Sequence, residues 1–94
     1  MHVIVSIPAA LRQFTLISSE VNVEAATVDE AVSELDRKFP GLRALIIDEN
    51  HQVRRYVNIF VNQDDVRSRD GLKTKLVDGD YLHIIPSIAG GDLV

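Results

Sequence analysis

Thr27-Val28-Asp29-Glu30-Ala31-Val32-Ser33-Glu34-Leu35-Asp36-Arg37-Lys38-Phe39-Pro40-Gly41 is the stretch on which the fold turns. Thr27 and Glu30 have the spacing of a capping box: the hydroxyl accepts the Glu30 N–H, and the Glu30 side chain reaches back to the Thr27 N–H. Val28, Ala31, Val32, Leu35 and Phe39 then recur at helical spacing and form one apolar stripe. Asp29 and Glu30 lie at the positive end of the helix dipole, and Arg37 and Lys38 at the negative end. Pro40-Gly41 ends the helix. No other segment carries so complete a helical signature.

The flanks read as strands. Val3-Ile4-Val5-Ser6-Ile7 is short, β-branched and stopped by Pro8. Val3, Val5 and Ile7 share one face, with His2, Ile4 and Ser6 on the other. A second extended run covers residues 16–23, where Val21 and Val23 alternate with polar neighbours. Residues 42–47 are either a helical turn or a brief strand. Residues 55–62 form the clearest strand: Val57, Ile59 and Val61 face one way, and Tyr56, Asn58 and Phe60 the other. Asp64-Asp65 reads as a turn and residues 66–74 as loop. Asp78-Gly79-Asp80 is a strong turn signal before a last strand, residues 81–85, closed by Pro86. One helix must therefore cover a sheet holding both terminal strands. The expectation is an α+β domain: a mixed sheet of four to five strands packed on one main helix, its first and last strands central and parallel.

Bulk properties narrow the function. The chain has 94 residues, 46% apolar and 26% charged, enough for one domain with a modest core. A net charge of −4 lacks the electrostatic footprint of a nucleic-acid binder. With no cysteine, thiolate metal sites, disulfides and a cysteine nucleophile are excluded. His2, His51 and His83 lack ligand spacing, so no metal site is expected. No run approaches a membrane span and the first residues lack a signal-peptide pattern, so a cytoplasmic location is expected. No paired carboxylates or phosphate-cradling glycine loop suggest catalysis. Arg54, Arg55, Arg67, Arg69, Lys73 and Lys75 read as solvated surface, with an acidic partner as the alternative.

Gly90-Gly91, followed by Asp92-Leu93-Val94, suggests a terminus that enters another protein's active site, because glycine threads where a side chain clashes. The expected organisation is a body over residues 1–87 and a tail over residues 88–94. At about 3.3 Å per extended residue, Pro86 to Gly91 reaches roughly 20 Å, and the final tripeptide moves the carboxylate about 10 Å further. Asp92-Leu93-Val94 is thus either a removable cap, cut between Gly91 and Asp92, or a remnant of cloning. Ile4, Tyr56, Phe60 and Ile85 fall on sheet faces opposite the core positions and make a candidate docking patch running toward the tail.

The segment Asp78-Gly79-Asp80-Tyr81-Leu82-His83-Ile84-Ile85-Pro86-Ser87-Ile88-Ala89-Gly90-Gly91 resembles the end of the MoaD/ThiS sulfur carriers, with their DGD turn, strand, proline and terminal Gly-Gly. Val5-Ser6-Ile7-Pro8 with Leu11-Arg12, Tyr56-Val57-Asn58-Ile59-Phe60-Val61-Asn62 and Asp65-Val66-Arg67 resemble the CysO-type carriers of cysteine biosynthesis. The resemblance implies a ubiquitin-like β-grasp fold and a non-enzymatic role. It implies a ubiquitin-activating-type adenylyltransferase that spends ATP, with Mg²⁺, to adenylate the Gly91 carboxylate; sulfur then displaces AMP to leave a thiocarboxylate. Ala89 and Gly90 would line the slim approach to Gly91. Implied partners are that adenylyltransferase or sulfurtransferase, a JAMM-type metalloprotease that trims the tail, and a sulfur-accepting synthase, a cysteine synthase being one candidate. The product, whether cysteine, thiamin, molybdopterin or another compound, stays open. So do a protein modifier joined through Gly91 to lysines and a plain β-grasp interaction module.

Overall fold

The computed structural model describes residues 1–9, 11 and 19–86. Strand β1 (His2–Ser6) runs antiparallel to β2 (Glu20–Glu24). Helix α1 (Val28–Lys38) and a short α2 (Leu42–Ile46) follow. Then come β3 (Val57–Val61), β4 (Asp64–Asp65), two 3₁₀ turns (Val66–Ser68 and Gly71–Lys73) and β5 (Tyr81–Pro86). The sheet order is β2-β1-β5-β3-β4, with β5 parallel to β1 and antiparallel to β3. The expected α+β architecture, with the chain's first and last strands paired at the centre, is what forms. Among the described residues, no helix is long and apolar enough to cross a membrane.

Period-two alternation fixes which side of the sheet is dry. Val3, Val5, Val21, Val23, Val57, Ile59, Val61, Leu82 and Ile84 are all buried and meet Val28, Ala31, Val32 and Leu35 of α1. The Thr27 hydroxyl accepts the Glu30 N–H at 3.2 Å. The return arm of the capping box lands one residue earlier than expected, with Glu30 Oε1 accepting from the Ala26 N–H at 2.9 Å. Here the chain is also stitched to the segment before β5, with Val28 N–H on the Thr74 carbonyl and Leu76 N–H on the Ala26 carbonyl. At the other end of α1, Gly41 takes φ +99°, a conformation side chains resist, and the Asp36 carboxylate accepts the N–H groups of Gly41 and Arg43, each at 3.0 Å. That clasp resolves residues 42–47 in favour of a helical turn.

Three sequence expectations change. Asp64-Asp65 is not the turn but a two-residue strand paired with Val61 and Phe60. The reversal lies one step earlier, where Asn62 takes φ +56°. Residues 66–74 contain two 3₁₀ turns, the first capped by Asp65, whose carboxylate accepts the Arg67 N–H at 2.8 Å. Finally, β3 begins at Val57, because the Val57 N–H closes a turn onto the Arg54 carbonyl. Tyr56 sits in that turn.

Candidate docking face and tail root

The Asp78-Gly79-Asp80 motif is a structural rivet. Gly79 holds φ +89°, and its N–H reaches the His2 carbonyl at 2.7 Å, while Asp78 Oδ1 accepts the His2 N–H at 2.7 Å. Asp80 is buried; it accepts the Asn62 side-chain amide at 3.0 Å and the Val77 N–H at 2.9 Å. Asn62 in turn accepts the Tyr81 N–H at 3.1 Å. The start of β5 is thereby tied to the first residues of β1 and to the β3–β4 reversal. A buried carboxylate with a hydrogen bond on each oxygen is costly to disturb. The rivet fixes the register with which β5 runs toward residues 87–94.

The other face of the same strands is open. In register across it lie Ile4 beside Tyr81, Ser6 beside His83, His83 beside Phe60, and Ile85 beside Asn58. Ile85 is 47% exposed, and Ile4 and Phe60 are half-buried. Ile85 stands one residue before Pro86, the last described residue of the strand. The structure thus brings Ile4, Phe60 and Ile85 together. It sets Tyr56 apart, half-buried against the core from the turn before β3. It adds Tyr81 and His83, whose rings stack with centroids 5.2 Å apart and planes 15° from parallel. A search of strand β5 for apolar residues alone passes over both; its period of two finds them.

Tyr81 also donates its hydroxyl to Glu20 Oε2 on the edge strand β2. That hydrogen bond, then desolvation and the Glu20 charge, raise the Tyr81 phenol above its ordinary value. On the opposite margin, Arg67 bonds Asn58 Oδ1 at 2.7 Å and the carbonyls of Val57 and Arg54 at 2.8 and 3.0 Å. It occupies the edge of β3 that the two-residue β4 leaves unpaired. Arg54 donates to the Ala44 carbonyl at 2.8 Å, and Arg69 lies 3.7 Å from Asp64. Arg54 and Arg67 are therefore struts of the fold, not idle surface charge.

Among the described residues, other polar groups gather on the helix side. His51 bridges the helix side, 3.5 Å from Asp29 and 3.4 Å from Arg43, and Arg43 donates to Asp29 at 2.8 Å. His2 lies 3.4 Å from Glu24. Among the described residues, no group of three or more His, Asp or Glu side chains is placed to hold a metal ion. Ala89, Gly90, Gly91 and Asp92, with the rest of the tail over residues 88–94, lie outside the described residues.

The ThiS family model matches residues 5–91, from β1 to the second glycine of the tail. The chain belongs to the ThiS family. It is 38% identical over 93 residues to the sulfur carrier protein CysO of Mycobacterium tuberculosis, covering 97% of this chain and 100% of that protein. It is 35% identical over 66 residues to small archaeal modifier protein 3 of Haloferax volcanii, covering 70% of this chain and 71% of that one. Among solved structures, a chain of the Amycolatopsis orientalis BexX/CysO complex superposes with a TM-score of 0.90 at 38% identity, over 95% of this chain and 99% of that one. The fold is accordingly the ubiquitin-like β-grasp of these carriers.

Proposed function

We infer that this chain is a sulfur carrier. The observation that carries the reading is the family match, which runs through the whole body and stops on Gly91. A relative that spans the full carrier length is itself named a sulfur carrier. In this reading a JAMM-type peptidase hydrolyses the bond between Gly91 and Asp92 and frees the Gly91 carboxylate. An adenylyltransferase of ubiquitin-activating type, using ATP and Mg²⁺, joins that carboxylate to AMP as pyrophosphate departs. A sulfide-level nucleophile then attacks the Gly91 carbonyl carbon, AMP leaves with the C–O bonding pair, and a thiocarboxylate remains. Ala89 and Gly90 supply a thin approach to the enzyme. The thiocarboxylate passes its sulfur to a synthase, one making cysteine being the first candidate. No side chain of this protein takes part in bond making; the body serves as a handle. Ile4, Phe60 and Ile85 form the face by which the activating enzyme grips it.

A second reading has its own support in the similarity to a small archaeal modifier protein: the same activated Gly91 transferred to a lysine as an isopeptide. Reconstitution separates the two. The chain ending at Gly91 is incubated with the adenylyltransferase encoded in the same genome, ATP, Mg²⁺ and sulfide, and its intact mass is read. An oxygen-for-sulfur exchange supports the carrier. Gly-Gly remnants on lysines of other proteins, without that exchange, support the modifier.

A further inference from the structure

The open sheet face has a charge pattern that the docking reading does not use. Its outward strand positions are His2, Ile4 and Ser6 on β1, Glu20, Asn22 and Glu24 on β2, Asn58 and Phe60 on β3, Asp65 on β4, and Tyr81, His83 and Ile85 on β5. None is lysine or arginine, and both edge strands carry carboxylates. These carboxylates are not equivalent. Asp65 caps the 3₁₀ turn through the Arg67 N–H. Glu24 lies 3.5 Å from the Met1 ammonium and 3.4 Å from His2. On this margin the Arg67 guanidinium is spent on Asn58 and two carbonyls, and Arg69 lies 3.7 Å from Asp64. Glu20 is exposed; among the described residues it pairs with no cation and its Oε1 takes no hydrogen bond, while Oε2 takes the Tyr81 hydroxyl. The described residues therefore place a carboxylate, with no cation paired to it among them, at the rim of a stacked Tyr81–His83 platform, with Ile4 and Phe60 alongside.

We propose that this corner seats a guanidinium: the activating partner presents an arginine that lies flat on Tyr81 and pairs with Glu20. The chemistry is specific. A planar guanidinium stacks on an aromatic face and bonds a carboxylate in the same plane, which an ammonium does poorly. The Tyr81 hydroxyl holds Glu20 at the rim of the platform, so little side-chain freedom is lost on binding. Tyr81 is thus a positioning residue for Glu20 as well as a contact surface. The pair gives the apolar face a polar register mark, which selects one orientation of the carrier and so one direction for the tail. The proposal rests on the sulfur-carrier reading above and adds the partner's chemistry to it.

The test uses the chain ending at Gly91 and the adenylyltransferase encoded in the same genome, with pyrophosphate exchange read against carrier concentration at low and high salt. Glu20→Gln raises KM about tenfold with kcat unchanged, the loss of one charge-assisted hydrogen bond, and flattens the salt dependence of KM. Tyr81→Phe keeps the ring and raises KM less. Glu24→Gln, whose carboxylate faces the Met1 ammonium and His2 rather than the aromatic pair, stays within about twofold. Wild-type KM for Glu20→Gln and Tyr81→Phe at both salt concentrations overturns the proposal while leaving the carrier reading intact. Equal effects of Glu20→Gln and Glu24→Gln, the mark of diffuse steering by net charge, also overturn it. No exchange with the wild-type chain overturns the carrier reading, and the proposal falls with it.

Discussion

Strand β5 has two faces, and they are built for different ends. Leu82 and Ile84 point into the core and are buried to 0% and 2% exposure. Tyr81, His83 and Ile85 alternate with them and stay accessible. The buried face takes its partners from α1 and the neighbouring strands of the same chain. The open face has apolar and aromatic groups in register across β1, β5 and β3 and nothing of this chain over them in the described residues. One strand therefore packs the core with its even positions and leaves its odd ones accessible, where the proposed docking face lies. The DGD rivet ties its start to β1 and to the β3–β4 reversal.

Substitutions of adjacent residues break the comparison cleanly. Leu82→Ala opens a cavity at the sheet centre and lowers stability by about 2–5 kcal/mol in urea unfolding. Asp80→Ala orphans the Asn62 amide and the Val77 N–H and costs about 2–3 kcal/mol by the same measurement. Phe60→Asp behaves in the opposite way: unfolding shifts by less than about 1 kcal/mol, whereas KM for adenylation rises at least about tenfold. Stability loss from Phe60→Asp comparable to that of Leu82→Ala, with activation unchanged, would make the two faces alike. The smallest effect is titration. The Glu20 hydrogen bond favours the protonated phenol of Tyr81, so its pKa is higher in the folded state than in the unfolded chain. The associated stability is present below the unfolded value, about 10, and is lost as pH rises through the folded one. Carbon-13 NMR of the tyrosine ring reads this directly: Tyr81 titrates above the ordinary range in the wild type and returns toward it in Glu20→Gln.

The legible parts of the fold were those with redundant signals. The α1 segment declared itself through cap, stripe and dipole charges together, and β1 and β3 through alternation over several residues. Short elements were not legible. A two-residue β4 has no period, and its Asp-Asp sequence favours a turn as strongly as a strand. The five residues of α2 are too few to show a period, and only the Asp36 clasp on Gly41 and Arg43 decides its state. Alternation placed Ile4, Phe60 and Ile85 on one open face, as the structure does, but was carried one residue too far, to Tyr56, where the turn onto Arg54 breaks the period. Tyr81 and His83 escaped because the face was sought as an apolar patch, and their contribution depends on stacking and on Glu20, which is far away in sequence. The roles proposed for Gly90 and Gly91 rest on the sequence and on a family match that ends at Gly91, since residues 87–94 lie outside the described residues.

The central claim is that the body presents the Gly91 carbonyl as a sulfur carrier after the last three residues are removed. Intact-mass spectrometry of this protein taken from its native cells under non-reducing, sulfur-replete growth tests it most directly. The account predicts a chain that ends at Gly91, a fraction of it with one terminal oxygen replaced by sulfur. A population consisting only of the unmodified 94-residue chain, or sulfur found at Val94 with the tripeptide still attached, would contradict it.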